Sequence, residues 1–255
     1  MVLAQDGGMD RASYLDSLRG DAADLLTAAG GHLDADVPTC PGWRMERLVG
    51  HVGRTYRWTA GWVEGGDAPE VPLPPKGDAV IEWTRAGLAE LIDAIERTAG
   101  IAPAGATVKT WAGDQPPIFW PRRMAIETAV HRWDAQVAAG EGRPLGTDLA
   151  LDAVDELFEV ILPLRGTAEL GSGDEGKTMH LHATDVGDEP GEGEWLITLA
   201  GERLTVEHMH AKGDVAVRGT ASDLLLLLWN RVSVDRFEVF GDADLLEWWR
   251  AAVKL

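Results

Sequence analysis

Apolar positions recur three and four apart along "MDRASYLDSLRGDAADLLTAA", where Tyr14, Leu15, Leu18, Ala22, Leu25 and Leu26 share one side before Gly30 and Gly31. That period belongs to a helix buried along one face, with glycine as its stop, and it predicts a first helix over about residues 9–29. A second, over about 44–64, is entered through "TCPGW", where Pro41 and Gly42 make a turn, and its apolar face carries Leu48, Val52 and Trp62. The proline-rich "GGDAPEVPLPPKG" reads as a loop, because each proline removes a backbone donor and fixes φ. Val80, Trp83, Leu88, Leu91, Ile92 and Ile95 then predict a third helix over about 79–99. A further loop holding Pro103, Pro116, Pro117 and Pro121 leads into a fourth, about 122–139, closed by Gly140. Four helices in one half of the chain predict a bundle.

After "GEGRPLG" the period changes. A helix near 148–162 gives way to alternating runs of β type, "KTMHLHATD", "EWLITLAG", "ERLTVEHMH" and "DVAVRG". The helix "SDLLLLLWNRV", the strand "FEVFG" and the helix "ADLLEWWRAAVKL" complete the chain. The expected organisation is a helical domain over residues 1–145 and a smaller α+β domain over 146–255, with a mostly antiparallel sheet.

Composition narrows the function. A chain of 255 residues, 45% hydrophobic and 25% charged, is an ordinary globular protein with room for two cores. Its net charge of −19 repels phosphate backbones and anionic membrane surfaces, which argues against a nucleic-acid or membrane partner. "LLLLLW" is far short of the roughly 20 residues that span a bilayer, and the first residues lack a secretory pattern, so the expected location is cytoplasmic. With no long apolar seam left over, a monomer is favoured. Cys40 is the only cysteine, so any metal within one chain needs histidine and carboxylate ligands.

Glu127 and His131 are four apart in "MAIETAVHRWDAQVAAG" and therefore stand one turn above each other on a helix. His51, between Val49 and Val52 and directly after Gly50, is an unusual histidine for an apolar helix face. Two histidines and a carboxylate with an open position form a common catalytic metal set. On spacing alone, a solvated helix face with an ordinary surface pair is the plainer reading. Arg122, Arg123 and Arg132 could hold a carboxylated substrate or sugar, or simply cover a solvated face. Asp134 could orient a ligand imidazole or be a surface carboxylate, and Cys40 could be nucleophilic at the start of a helix or, with no evident base beside it, a small residue buried at a turn. The pairs His180/His182 and His208/His210 each place two imidazoles on one strand face, a rival metal site without an evident third ligand. The tryptophans read as packing, with Trp43, Trp58 and Trp62 as candidates for a pocket mouth.

The segments "VPTCPGWRMERLVGHVGRTYRW" and "RRMAIETAVHRWDAQVAAG", followed in order by "HLHATD" and "DLLLLLWNR", resemble the mycothiol-dependent maleylpyruvate isomerase family of actinobacteria, within the wider DinB-like metalloenzyme superfamily. The resemblance implies a DinB-like four-helix bundle that binds a divalent metal, usually zinc, followed by a sterol-carrier-like α+β domain. His51, Glu127 and His131 match its metal ligands, and Arg231 in "LLWNR" lies where the family offers an arginine to the substrate, a domain-interface or surface salt bridge being the alternative. It further implies mycothiol as cosubstrate: a metal-activated thiolate either adds to a maleylpyruvate-like small molecule and leaves again after cis–trans rotation, or stays on an electrophile as an S-transfer product. A non-catalytic ligand-binding or regulatory protein that kept this fold is the alternative from another class.

Overall fold

The computed structural model describes residues 8–66, 70–99, 105–165, 175–187, 189, 191–200 and 203–253. The chain divides into two compact units, Met1–Arg143 and Pro144–Leu255. Pro103 and part of the loop between Gly65 and Gly77 lie outside the described residues.

The first unit is built on α1 (Arg11–Ala29), α2 (Met45–Val63), α3 (Ala79–Ala99) and α4 (Phe119–Ala138). Asp10 caps α1 by accepting from the Ser13 amide at 2.8 Å. Helix α4 starts three residues earlier than the prolines suggest, and Pro121 lies in its first turn. There the missing amide costs nothing, because first-turn amides have no partner within the helix. A short hairpin, β1 (Val108–Thr110) with β2 (Gly113–Gln115), occupies sequence that reads as loop. At the far end Gly140, with φ 102°, lets the chain turn back: its own amide and that of Glu141 donate to the carbonyls of Val137 and Gln136.

Helix α1 packs chiefly on α4, and α2 on α3 and α4. The α2–α3 approach relies on glycine. A β-carbon at Gly53 would come within 2.5 Å of Thr84 Oγ1 and 2.7 Å of the Trp83 ring, and one at Gly50 within 2.9 Å of Pro74. The gap is closed by Thr84, whose hydroxyl donates to the Val49 carbonyl at 2.9 Å. Helix α4 is buried over 16 of its 20 residues, so it has no solvated face. Its polar side chains must find partners inside the unit.

The second unit starts with α5 (Thr147–Glu156), continues through one π-helical turn (Leu157–Ile161) into α6 (Leu162–Arg165), and then enters the sheet. Strands β3 (Thr178–Ala183), β4 (Glu194–Ala200), β5 (Arg203–Glu207), β6 (Val215–Gly219) and β7 (Glu238–Gly241) lie in the order β5-β4-β3-β6-β7. Only β3 and β6 run parallel. Met179, Leu181, Trp195, Ile197, Val215 and Val217 form the buried face; α7 (Ala221–Leu228) packs on β3 and β6, and the Trp195 indole donates to Asp155 of α5 at 2.6 Å. The 3-10 turn Val234–Arg236 and α8 (Asp244–Ala252) complete the unit. No helix among the described residues is long and apolar enough to cross a membrane.

The two kinds of glycine give a paired prediction. Gly20, in the middle of α1, has open space where a β-carbon would stand. Gly20→Ala is expected to stabilise by about 0.5–1 kcal/mol, and Gly53→Ala to destabilise by about 1–3 kcal/mol through overpacking. Chemical denaturation of the two variants beside the parent checks both signs.

Candidate metal centre

His51 comes from α2, and Glu127 and His131 come from successive turns of α4. Their potential ligand atoms all lie within 4.8 Å of one another. His51 Nε2 stands 3.3 Å and His131 Nε2 3.2 Å from the same oxygen, Glu127 Oε1. The two rings have centroids 5.1 Å apart and planes at 84°. A tetrahedral ion with bonds of about 2.0–2.1 Å requires ligand–ligand edges of about 3.3 Å, so two of the three edges already have the right length.

The other carboxylate oxygen, Oε2, is taken by Arg123, one turn earlier on α4. Burial works against ionising Glu127, but Arg123, His131 and His51 together outweigh it and hold this carboxyl well below the usual range. Behind His131 stands Asp134, fully buried, with Oδ2 at 2.9 Å from Nδ1. That contact places the imidazole N–H on Nδ1 and turns Nε2 toward Glu127. Burial disfavours the imidazolium of His131, yet Glu127 and Asp134 overcome this and raise its pKa to about 9. Without a cation in place the ring therefore holds a proton that an arriving ion would have to displace. Cys40 also reaches this corner, its thiol 3.6 Å from Asp134 Oδ2.

Several expectations are corrected by burial. Arg123, Arg132 and Asp134 are not on a solvated face, because α4 has none. Arg123 serves Glu127, while Arg132 ties α4 to α1 through Asp21 at 3.0 Å and to Gln136 at 2.9 Å. Arg122 is half-buried and Cys40 intermediate. The signal for Arg123 was present in its spacing, since it stands four before Glu127 as Glu127 stands four before His131. Arg47 had not been singled out: it is one turn before His51, and its guanidinium stacks 4.4 Å over Trp43, whose ring meets the His51 ring edge-on at 5.1 Å. Trp43 therefore borders the cluster, whereas Trp58 and Trp62 stack with Trp120.

Arg231 belongs to the second unit. Its backbone is set by a helix stop in which Asn230 takes the left-handed conformation (φ 58°) while the amides of Asn230 and Arg231 donate to Leu227 and Leu226. Its guanidinium donates to the Trp229 carbonyl at 2.8 Å.

The paired histidines differ from expectation in two ways. His180 and His182 do share a face of β3, but β5 ends at Glu207, so strand alternation does not govern His208 and His210. His208 turns to Asp155 at 3.4 Å and His210 to Glu194 at 2.8 Å. The carboxylate that the sequence did not disclose is Glu194, which stands with His180 and His210 and pairs with His182 across the β3–β4 register.

Comparison with known proteins covers both units. Residues 15–136 match the family model of the mycothiol maleylpyruvate isomerase N-terminal domain, and residues 148–247 that of the MDMPI C-terminal domain. Among solved structures, the mycothiol-dependent maleylpyruvate isomerase superposes with a TM-score of 0.53 at 15% identity, over 92% of this chain and 95% of that one. A histidine-to-alanine mutant of that isomerase gives 0.53 at 14% identity with the same coverage. No curated sequence matches the chain. At such low identity the superposition speaks for the fold, while the two domain models, matched in order along nearly all of the sequence, place the chain in the mycothiol maleylpyruvate isomerase family.

Proposed function

We propose that this protein is a metal-dependent isomerase that uses mycothiol to convert a maleylpyruvate-like cis substrate to its trans isomer. The observation that carries the reading is the sharing of one carboxylate oxygen by two imidazoles at 3.2 and 3.3 Å, within a family defined by this thiol. The donor set fits a divalent ion of zinc type: two ring nitrogens and one oxygen converge, the second oxygen is occupied by Arg123, and Asp134 fixes the tautomer of His131. An ion held there would acidify a thiol and present it as thiolate.

The remaining work falls to the chain. Arg123 keeps Glu127 ionised and engages its Oε2, so that Oε1 is the oxygen that would be offered to an ion. The cluster together with Arg123 then carries surplus positive charge, and this suits an anionic sulfur and a carboxylated substrate. In the reaction the sulfur forms a bond to one alkene carbon and the alkene electron pair moves onto the conjugated carbonyl oxygen. The resulting single bond rotates, and the electron pair returns as the carbon–sulfur bond breaks, so the thiol is regenerated. Arg47, stacked on Trp43 beside His51, is suited to a substrate carboxylate. The family resemblance implies a substrate-binding role for Arg231, and we retain that role as part of the proposal.

Protein purified without a histidine tag should contain about one divalent ion per chain at this cluster, on the donor count of a catalytic site. His51→Ala should lose that ion together with at least about 10²-fold in thiol-dependent turnover, the worth of several kcal/mol of metal assistance. Full activity in rigorously metal-free protein would remove the metal from the mechanism, and recovery of a stable thiol adduct in place of free trans product would make the enzyme an S-transferase.

Asp134→Asn should weaken zinc binding by about 10–100-fold, as expected when the partner of a ligating imidazole is altered. Competition titration with a chromophoric chelator measures this. Unchanged affinity would mean that Asp134 has no part in holding the ligand.

A further inference from the structure

A second cluster of metal-binding side chains stands in the C-terminal unit, on the sheet face opposite the buried one. Strand alternation puts His180 and His182 on that face of β3, and the antiparallel register sets Glu194 directly across from His182. The chain leaves β5 at Glu207 and brings His210 back over the same carboxylate. Three imidazole nitrogens consequently surround one carboxylate: His180 Nε2 and His210 Nδ1 are 3.2 and 2.8 Å from Glu194 Oε2, and His182 Nδ1 is 3.3 Å from Oε1. The ring pairs have centroids 5.3–6.2 Å apart and planes at 81–87°.

This arrangement is poorly explained as packing. His180 and Glu194 have side chains only 5% and 13% exposed, so the carboxylate is largely removed from water and needs positive compensation. A single imidazolium would supply it, so the convergence of three rings is more than charge compensation requires. A neutral imidazole has a lone pair to give. One side of the cluster opens on a cavity of about 490 Å³ bordered by His182, Glu194, His210 and Arg218, so an ion could enter and keep an exchangeable ligand.

We infer that His180, His210 and Glu194, whose ligand atoms lie within 4.8 Å of one another, form a binding site for a divalent transition-metal ion with His182 at its border, distinct in every ligand from the His51–Glu127–His131 cluster. Two imidazole nitrogens and a carboxylate select ions such as zinc, cobalt or nickel over magnesium and calcium, which prefer all-oxygen shells. His208 is not a ligand, since it is paired with Asp155.

The test uses the full chain, untagged and stripped with chelator, in a His51→Ala/Glu127→Gln background that removes the other cluster. Titrated with cobalt(II) and read by visible d–d absorption and by cobalt retained after gel filtration, this variant should bind about one ion per chain, as a single site requires. Adding His210→Ala, at an exposed position that does not threaten folding, should weaken binding at least about tenfold, given that even partners outside the coordination shell are worth that much. Glu194→Gln should act in the same direction. A folded background variant that takes up no cobalt, or one whose cobalt is unaffected by His210→Ala, overturns the site. Parent protein whose only cobalt is lost with His210→Ala and kept with His51→Ala would instead support this site and refute the one on α2 and α4.

Discussion

The first unit is organised around one ionised carboxylate inside a helix that has no outer surface. Removing such a group from water costs several kcal/mol unless charge and hydrogen bonds replace the lost hydration. Glu127 meets that demand by dividing its oxygens, Oε2 to Arg123 and Oε1 to the two imidazoles. Everything near it follows from this division. Arg123 has to precede it by one helical turn, His131 has to follow by one, and α2 has to come close enough to present His51. The glycines on α2 serve the opposite flank, where Gly50 and Gly53 allow Pro74, Trp83 and Thr84 to press against the helix.

What could be read from the residues was what depends on periodicity. Helix α3 has the extent its apolar spacing predicts, because its face alternates regularly between core and solvent. Helix α4 obeyed another rule: it is enclosed, so polar residues that would be solvated on an ordinary helix are internal on this one. That is why spacing alone leaves a solvated face open as a reading of Arg123, Arg132 and Asp134, all of which are buried. Sequence spacing reports which side of a helix a residue occupies, and enclosure depends on how many neighbours cover that side.

The same distinction applies to the sheet. The two histidines of β3 were visible as an alternating pair, but Glu194 became their partner only through the register of β4, and His210 only because β5 stops three residues earlier. Pairing register and chain reversal are tertiary facts. The family resemblance conveyed the order of the two domains over nearly the whole chain, and a superposition at 15% identity agrees with that order. It did not convey the second cluster, whose four residues converge from three separate segments.

Within the Glu127 cluster the three side chains are unequally accessible. The His51 side chain is 38% exposed, against 15% for Glu127 and 10% for His131. The two members on α4 are enclosed, so an ion held there as proposed would be reached past the one on α2. Ion capture and release would then be timed by the swing of a single imidazole against the Trp43 ring. The rate at which the centre loads, and the ease with which a chelator empties it, would be properties of that aromatic edge more than of the charged interior.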